Sequence, residues 1–354
     1  MTHASKLADM LGRSLLALFV LGGCAGEAAT QEVTDRGAAP VRDGAGSGSL
    51  ARSIADAGAA ARGPVWVAWE VPSVSRRNTC CFDRRFARTA CMLEGRNQSW
   101  GSSTDSPPGS GRLLVLARWS QGAAGKVFAV DAECPVDAEP LSIVRLSDVA
   151  VEESVDWLAS LAADAGGEDS GGSLAALAYH AGPAAMQALE RMATEADEED
   201  LRGNALFWIG QTRGEEGARF LAGVVRGDSD PEIREKAIFA LSQNDSPLSA
   251  PTITEAARSD DEAEVRAQAL FWLAQTKSPS AEGVLLGALD KDPSPKVREQ
   301  AVFAMTQLPD GGVPLLVRIA RDAGRDKEVR RQAMFWLGQS KDPRALDFLE
   351  EILE

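Results

Sequence analysis

Histidine and cysteine, the side chains that most often carry nucleophilic or metal chemistry, are scarce in this chain. The 354 residues include two His, at positions 3 and 180, and five Cys. His3 lies in a segment that we expect to be removed, so no Ser-His-Asp or Cys-His machinery can be built around more than one imidazole. We therefore expect no catalytic residue, no metal site and no cofactor, and we expect that the protein is not an enzyme.

Four of the five cysteines are gathered in one stretch of the chain. Cys80, Cys81, Cys91 and Cys134 all lie between residues 64 and 150. An even number of cysteines in an exported segment predicts two disulfides, and a bond between the adjacent Cys80 and Cys81 is the least favourable of the three pairings. A four-thiolate zinc site is the alternative, but the spacing lacks the paired short loops of a zinc ribbon.

The fifth cysteine, Cys24, follows an apolar run from Leu15 to Leu21 that is preceded by Lys6 and Arg13. This layout is typical of a bacterial export signal, and the run is too short to span a bilayer as a stable helix. The sequence Leu-Gly-Gly-Cys at residues 21–24 resembles the lipobox of bacterial lipoproteins. The resemblance implies a lipid-anchored Cys24 at the mature N-terminus and, with Ala25 next, an outer-membrane lipoprotein facing the periplasm. An ordinary cleaved signal is the alternative.

The next two segments differ in composition. Residues 24–63 are rich in Ala, Gly, Ser, Asp and Arg with few large apolar side chains, which predicts a flexible tether. Residues 64–150 contain β-branched and apolar runs at 65–71, 113–119, 126–130 and 141–146, separated by turn signals. We predict a small β-rich domain there, stapled by its disulfides because so short a segment builds only a marginal core.

The C-terminal half repeats one unit of 32 residues, which predicts a tandem array. Four residue types recur in register, and two of these columns carry aromatic or amide side chains that could bind a ligand. The Phe column consists of Phe207, Phe239, Phe271, Phe303 and Phe335; the Gln column consists of Gln211, Gln243, Gln275, Gln307 and Gln339. The other two are Arg202, Arg234, Arg266, Arg298 and Arg330, and Ala205, Ala237, Ala269, Ala301 and Ala333.

Each unit reads as two antiparallel helices, because apolar positions recur at i, i+4 and i+8 and a second, shorter apolar helix follows. The motif from Asp292 to Arg298, Asp-Pro-Ser-Pro-Lys-Val-Arg, resembles the HEAT-like repeats of the phycobilisome-lyase type. The resemblance covers about residues 153–354 and implies an α-solenoid, with the helices at 153–162 and 173–180 as a degenerate N-terminal cap. The predicted segments are a signal peptide (1–23), the tether (24–63), the β-rich domain (64–150) and the HEAT-like solenoid (151–354).

The direction of each side chain follows from about 100° of rotation per residue. With Val297 at zero, Ala301 and Met305 face the partner helix, while Phe303 and Gln307 point away from it, toward the concave face. The flank position alternates Trp and Ala, which predicts packing between repeats. We predict that the Phe and Gln columns, together with a third row, line a binding groove for another protein or an extended peptide, by analogy with armadillo proteins. The third row consists of Asn204, Lys236, Gln268, Gln300 and Gln332. The alternative is that the rings fill the seams between repeats.

The net charge of −15 argues against nucleic acid as a partner, because an acidic surface repels phosphate. The sequence thus favours a non-enzymatic binding scaffold at the bacterial cell envelope. The alternative is a redox- or envelope-sensing regulator in which the loop bearing Cys80, Cys81 and Cys91 changes state and its Arg-rich flank docks on the solenoid.

Overall fold

The computed structural model describes residues 41–44, 49–75, 79–82, 88–95, 99–101, 107–164, 171–309 and 312–352. The predicted signal peptide and Cys24 lie outside these residues, as does most of the Arg-rich flank. Ten strands are present in the described residues: β1 (Val41–Gly44), β2 (Val65–Pro72), β3 (Cys80–Phe82), β4 (Arg88–Thr89), β5 (Cys91–Met92), β6 (Ser99–Gly101), β7 (Arg112–Ser120), β8 (Ala123–Asp131), β9 (Val136–Asp137) and β10 (Ile143–Leu146).

Fourteen helices occupy the same described part of the chain: α1 (Leu50–Ala60), α2 (Val151–Asp164), α3 (Gly171–Tyr179), α4 (Pro183–Glu195), α5 (Glu199–Thr212), α6 (Gly214–Gly227), α7 (Pro231–Ser242), α8 (Ser249–Ser259), α9 (Ala263–Gln275), α10 (Ala281–Lys291), α11 (Pro295–Met305), α12 (Val313–Arg321), α13 (Lys327–Gln339) and α14 (Pro343–Glu351). None of these helices is long and apolar enough to cross a bilayer.

The N-terminal part is built on a five-stranded mixed sheet in the order β1-β10-β2-β7-β8. The central strand β2 pairs antiparallel with β7 and parallel with β10. Strands β7 and β8 form the predicted hairpin, and the two residues between them, Gln121 and Gly122, both have positive φ, as a tight type I′ turn requires. The four strands predicted from sequence therefore all form, at nearly the predicted limits.

Both faces of this sheet are buried, because successive side chains of a strand point to opposite sides. In β2, Val67 and Trp69 join the core shared with the helices, whereas Trp66 and Ala68 join a second core on the other face. The second core contains all four cysteines of this region. They form two disulfides, Cys80–Cys134 and Cys81–Cys91. The prediction of two disulfides is confirmed, and the adjacent cysteines are not bonded to each other.

Part of the predicted tether is ordered secondary structure, so that prediction is wrong for this stretch. Helix α1 buries Leu50 and Ile54 and packs on β2, β7 and β8. Its Gly58 lies against Trp119 so closely that an added Cβ would fall 2.2 Å from the ring. The residues upstream at 41–44 add strand β1 to the edge of the sheet. Helix α1 can be stable with few large apolar side chains because it packs on the apolar face of the sheet.

The helical half consists of stacked antiparallel hairpins, which confirms the predicted α-solenoid of HEAT-like repeats. The pairs are α3/α4, α5/α6, α7/α8, α9/α10, α11/α12 and α13/α14. The first helix of each pair packs on the first helix of the next, so α3, α5, α7, α9, α11 and α13 form a continuous row. Each repeat buries the predicted face: Val297, Ala301 and Met305 in α11 are all fully buried.

Charged pairs between neighbouring hairpins reinforce the stack. Arg234 at the start of α7 donates two hydrogen bonds, of 2.9 and 2.8 Å, to the carboxylate of Asp260 in the following loop, and Arg266 does the same to Asp292. Arg202 and Asp228 form the equivalent ion pair at 2.7 Å. Each pair spans 26 residues, so each of these three Arg side chains contacts the loop that leads into the next repeat.

The sheet and the solenoid are joined directly. Strand β8 packs against α3, where Gly172 has no room for a Cβ because Val127 O would lie 2.3 Å away. The backbone N–H of Val74 donates to Tyr179 O, and that of Ala181 donates to Pro72 O. One apolar core therefore runs from the sheet through all the hairpins. Because a repeat array needs a cover on its terminal repeat, we interpret the β-rich part as the N-terminal cap.

Candidate binding surface

The five predicted Phe residues are brought together with Trp and Tyr into one unbroken line of rings, which we call the aromatic row. Each ring contacts the next, with centroids between 4.7 and 6.1 Å apart, in the order Tyr179, Trp208, Phe207, Phe239, Trp272, Phe271, Phe303, Trp336 and Phe335. The row follows the first helices of the hairpins from α3 to α13.

The contacts between repeats alternate along the aromatic row. Phe207 and Phe239 stack nearly parallel at 6.0 Å, as do Phe271 and Phe303 at 5.8 Å. In the seams between these stacks, Phe239 meets Trp272 and Phe303 meets Trp336, at 4.7 and 4.9 Å. Such pairs contribute about 0.5–1.5 kcal/mol beyond burial of their area.

The alternation of Trp and Ala at the flank position explains this pattern. Ala240 and Ala304 are fully buried, and the neighbouring first helices approach closely where two Phe rings stack. Gly210 in α5 shows how closely, because an added Cβ would lie 2.5 Å from Ala240 O. Where Trp272 replaces the Ala, its ring instead reaches back over the Phe of the preceding repeat. The Trp side chains therefore pack between repeats, as predicted, and they also belong to the aromatic row.

The rings are neither sealed into the core nor free in solvent. Phe207, Phe239, Phe271 and Phe303 are half-buried, and Phe335 at the end of the row is 57 % exposed. The rings therefore fill the seams between repeats, and part of each ring remains exposed to solvent.

The predicted amides lie along the same surface. Gln211, Gln243, Gln275 and Gln339 are exposed, and Gln307 is half-buried. Two of the five amides bond within the chain, since Nε2 of Gln243 donates to Ser242 Oγ at 3.1 Å and Nε2 of Gln307 donates to Thr306 Oγ1 at 2.9 Å. In the described part of the chain the other three make no hydrogen bond. Gln268, Gln300 and Gln332 of the third row are half-buried.

An acidic group lies one helical turn before Phe239. Burial, together with the charges of Glu232 and Glu264, raises the pKa of Glu235 to about 7, against a smaller opposing effect of Lys296. Its carboxylate makes no hydrogen bond within the described residues. A half-buried carboxylate without a partner favours a cation beside it, so this end of the surface has a preference for positive charge. This shift could not be predicted, because burial, its main cause, and the approach of Glu264 from the next repeat arise only in the fold.

His180 is fully buried where the sheet meets the solenoid. Its Nδ1 donates to Ala176 O at 2.7 Å, and its Nε2 accepts from the hydroxyl of Ser154 at 2.8 Å. The same hydroxyl accepts a hydrogen bond from Trp69 Nε1. Burial, assisted by the charge of Arg213, lowers the pKa of His180 to about 4 despite the opposing effect of Ala176 O. This Ser-His contact is closed to solvent and joins β2, α2 and α3.

The cysteines form a buried structural unit. Cys80, Cys81 and Cys91 are at most 1 % exposed, and Cys134 is 5 % exposed. A thiol-exchange partner has no direct access to sulfurs at this depth. No three His, Cys, Asp or Glu side chains of the described residues are arranged so as to hold a metal ion.

Comparison with protein families agrees with the repeat architecture. A family model of HEAT repeats matches residues 183–274, 250–323 and 283–354. No curated protein matches the sequence. Human deoxyhypusine hydroxylase in complex with glycerol is similar at 17% identity over 57% of this chain and 90% of its own, with a TM-score of 0.24. The complex of CpcE and CpcF of phycocyanin lyase from Nostoc sp. PCC7120 is similar at 22% identity over 58% of this chain and 80% of its own, with a TM-score of 0.30.

At these identities and TM-scores the two structures carry no argument about activity. The fold and the family model together define the fold class: the helical part is an α-solenoid of HEAT-like repeats, preceded by a small disulfide-bonded β-rich part. Two disulfides are typical of an oxidising, exported environment.

Proposed function

We propose that the protein is a non-enzymatic scaffold that binds an extended segment of another protein along the aromatic row. The observation that supports this most directly is the continuity of partly exposed rings across six hairpins. Large contiguous apolar patches are rare on the surface of folded proteins, and they commonly mark interaction sites.

The chemistry beside the rings suits a peptide backbone. Gln211, Gln275 and Gln339 each offer an amide that donates and accepts, which is what the N–H and C=O groups of an extended chain require. Packed helices lie about 8–10 Å apart, and an extended or polyproline-type segment rises about 3.1–3.4 Å per residue. Each hairpin would therefore meet about three residues of the ligand, with one side chain on each ring.

The electrostatics suggest the charge of that segment. Glu235 lacks a partner beside the aromatic row, and the chain carries a net charge of −15. A segment with Lys or Arg among apolar residues would satisfy both features, whereas a phosphate-bearing nucleic acid would be repelled. We place this activity at the bacterial cell envelope, with the lipid anchor at Cys24 as the means of attachment to the outer membrane. The lipobox resemblance and the disulfides support that location.

The test compares peptide selection by the native protein and by a variant with Phe271→Ser and Phe303→Ser. Random peptides displayed on phage are enriched on each protein, and the enriched sequences are synthesised and titrated by fluorescence anisotropy. We expect basic, apolar peptides whose affinity falls at least about tenfold in the variant, because rings of this kind act as hot spots.

The matched control is Arg219→Ser, which removes an exposed side chain of α6, the second helix of its hairpin. It should leave peptide affinity unchanged. Because the rings also pack between repeats, circular dichroism and thermal melting accompany each protein, and the titrations are made at a temperature at which both proteins are folded. Peptides that bind both proteins equally would overturn the proposed role of the aromatic row.

A further inference from the structure

The aromatic row repeats with a period of two hairpins, so the same set of ring contacts occurs twice. The first set consists of Trp208, Phe207 and Phe239; the second consists of Trp272, Phe271 and Phe303. In each set the Trp meets its neighbouring Phe edge-on, at 69° and 75°, and the two Phe rings stack at 12° and 5°. The second Phe then meets the next Trp at 44° in both cases. We call each pair of hairpins a module: residues 199–259 form the first and residues 263–321 the second.

The polar groups beside the rings follow the same period of two hairpins. In the second hairpin of each module a hydroxyl, that of Ser242 or Thr306, donates to the Phe carbonyl oxygen at 2.7 Å and accepts from the adjacent Gln. The first hairpin has Gly or Ala at the hydroxyl position, and its Gln, Gln211 or Gln275, makes no hydrogen bond in the described part of the chain. Each module therefore offers one amide that a ligand can use without breaking an existing bond.

Each module also carries one carboxylate beside its second Phe. Glu235 and Glu299 lie one helical turn before Phe239 and Phe303, at a position where the first hairpin of each module has Gly or Ala. Neither carboxylate makes a hydrogen bond within the residues that the structure describes. A cation from a ligand can therefore pair with one acid in each module.

Nearby Lys side chains do not supply that cation, because they are already paired. Lys236 bonds to Glu199 and Lys296 bonds to Glu264, in each case from the second hairpin of a module to the first. These pairs cross the seams at which the Phe rings stack. The two hairpins of a module are thus joined by an ion pair as well as by a ring stack.

We propose that the two modules bind two copies of one motif, an apolar residue with a Lys or Arg beside it, that recurs about every six residues along one extended ligand segment. This inference rests on the proposed function and specifies the ligand as a segment of repetitive sequence. Two hairpins span about 16–20 Å, and an extended chain rises about 3.1–3.4 Å per residue, so about six residues lead from one module to the next. The apolar side chain packs on the stacked Phe rings, and the base pairs with Glu235 or Glu299.

The first experiment titrates three synthetic peptides of equal length, in a background of Ser and Thr, into the full chain by isothermal titration calorimetry. One peptide has a single Phe-Ser-Lys motif, one has two motifs six residues apart, and one has two motifs nine residues apart. A spacing of nine residues spans three hairpins, which leads from Glu235 to Arg331 and so from an acid to a base.

We expect the peptide with six-residue spacing to bind one per chain, at least about tenfold more tightly than the peptide with nine-residue spacing, because its second motif binds within the same complex. The single-motif peptide should bind two per chain. Equal affinity of the two double-motif peptides would overturn the two-module arrangement. Failure of all three peptides to bind would overturn the motif. In both cases the phage selection still tests the aromatic row by itself, so the two proposals can fail separately.

The second experiment removes the carboxylates. Glu235→Gln and Glu299→Gln should each weaken binding of the peptide with six-residue spacing about threefold or more, because each removes one ion pair of two. The control is Glu153→Gln, which removes an exposed acid of α2 outside the aromatic row and should leave the affinity unchanged. A peptide with Gln in place of both Lys residues should bind all four proteins alike. Equal weakening by the control would attribute the effect to net charge and overturn the assigned role of the two acids.

Discussion

The hydroxyl of Ser154 in α2 lies 2.8 Å from Nε2 of His180 and receives a hydrogen bond from Trp69 Nε1 at the same distance. Three elements are thus joined by one chain of polar contacts inside an apolar core. Because the hydroxyl proton is donated to Nε2, the folded protein requires a neutral imidazole, and burial enforces this.

We expect the stability of the protein to depend on pH through His180. Its pKa is about 4 in the folded state and about 6.5 when unfolded, so between these values the unfolded chain binds a proton that the folded chain does not. Stability is therefore complete above about pH 6.5 and is lost as pH falls toward 4, by about 3 kcal/mol. His180→Gln should flatten this part of the profile, measured by urea denaturation at several pH values. An unchanged slope in the variant would assign the dependence to other groups.

Glu235 should act in the opposite direction. Its pKa of about 7 lies above the ordinary value of 4.5, so the folded protein holds the extra proton between these values and stability falls as pH rises through that window. Replacing the carboxyl by an amide removes the loss, and we expect Glu235→Gln to stabilise the protein by about 1 kcal/mol at pH 8, after allowance for partial exposure. Glu299→Gln, at the same position two repeats later and exposed, is the control and should have no effect.

The arginine column offers a comparison within one protein. Arg266 holds the buried carboxylate of Asp292, whereas Arg298 bonds only to the carbonyl oxygens of Asp292 and Pro293. Burial raises the pKa of Asp292, but the hydrogen bonds from Arg266 and from the Ser294 N–H outweigh it and leave the pKa below its ordinary value.

We therefore expect Arg266→Gln to cost about 3 kcal/mol, because it leaves a buried charge unpaired, and Arg298→Gln to cost about 1 kcal/mol. Chemical denaturation analysed with a nearest-neighbour model for repeat arrays measures both. Equal costs would show that the carbonyl contacts, and not the ion pairs, hold adjacent hairpins together.

The two disulfides should differ in their contribution to stability. Cys80 and Cys134 are 54 residues apart, whereas Cys81 and Cys91 are 10 apart. Loop-closure entropy predicts about 4 kcal/mol for the first and about 3 kcal/mol for the second. The paired variants Cys80→Ala with Cys134→Ala, and Cys81→Ala with Cys91→Ala, test this by thermal melting of the cap. A larger loss from the shorter loop would contradict the entropic account.

Much of this architecture could be predicted because its signals are local and repeated. The Phe and Arg columns fix the register of every hairpin, and the continuous apolar runs of β2 and β7 fix these two strands. The strand order could not be predicted, because parallel pairing of β10 with β2 depends on contacts between residues about 77 positions apart, such as Trp66 with Ile143.

The candidate surface was predicted in part. The Phe and Gln columns follow from helical periodicity, but the continuity of the aromatic row depends on Trp272 and Trp336 reaching the preceding repeat, which requires the distance between helices. The constant interval of 26 residues between Arg234 and Asp260, and between Arg266 and Asp292, was present in the sequence and could have revealed the ion pairs. The burial of His180 could not be predicted, since it depends on the cap packing over the end of α3.

The cap is bonded to one end of the stack only, and this has a consequence for how such proteins change length. Each interior hairpin contacts only its neighbours. A duplication of 32 codons within the array would therefore add one hairpin and one Phe ring without altering the sheet or its disulfides. A lineage could thus lengthen or shorten the aromatic row by recombination alone, while the cap at the amino-terminal end stays the same.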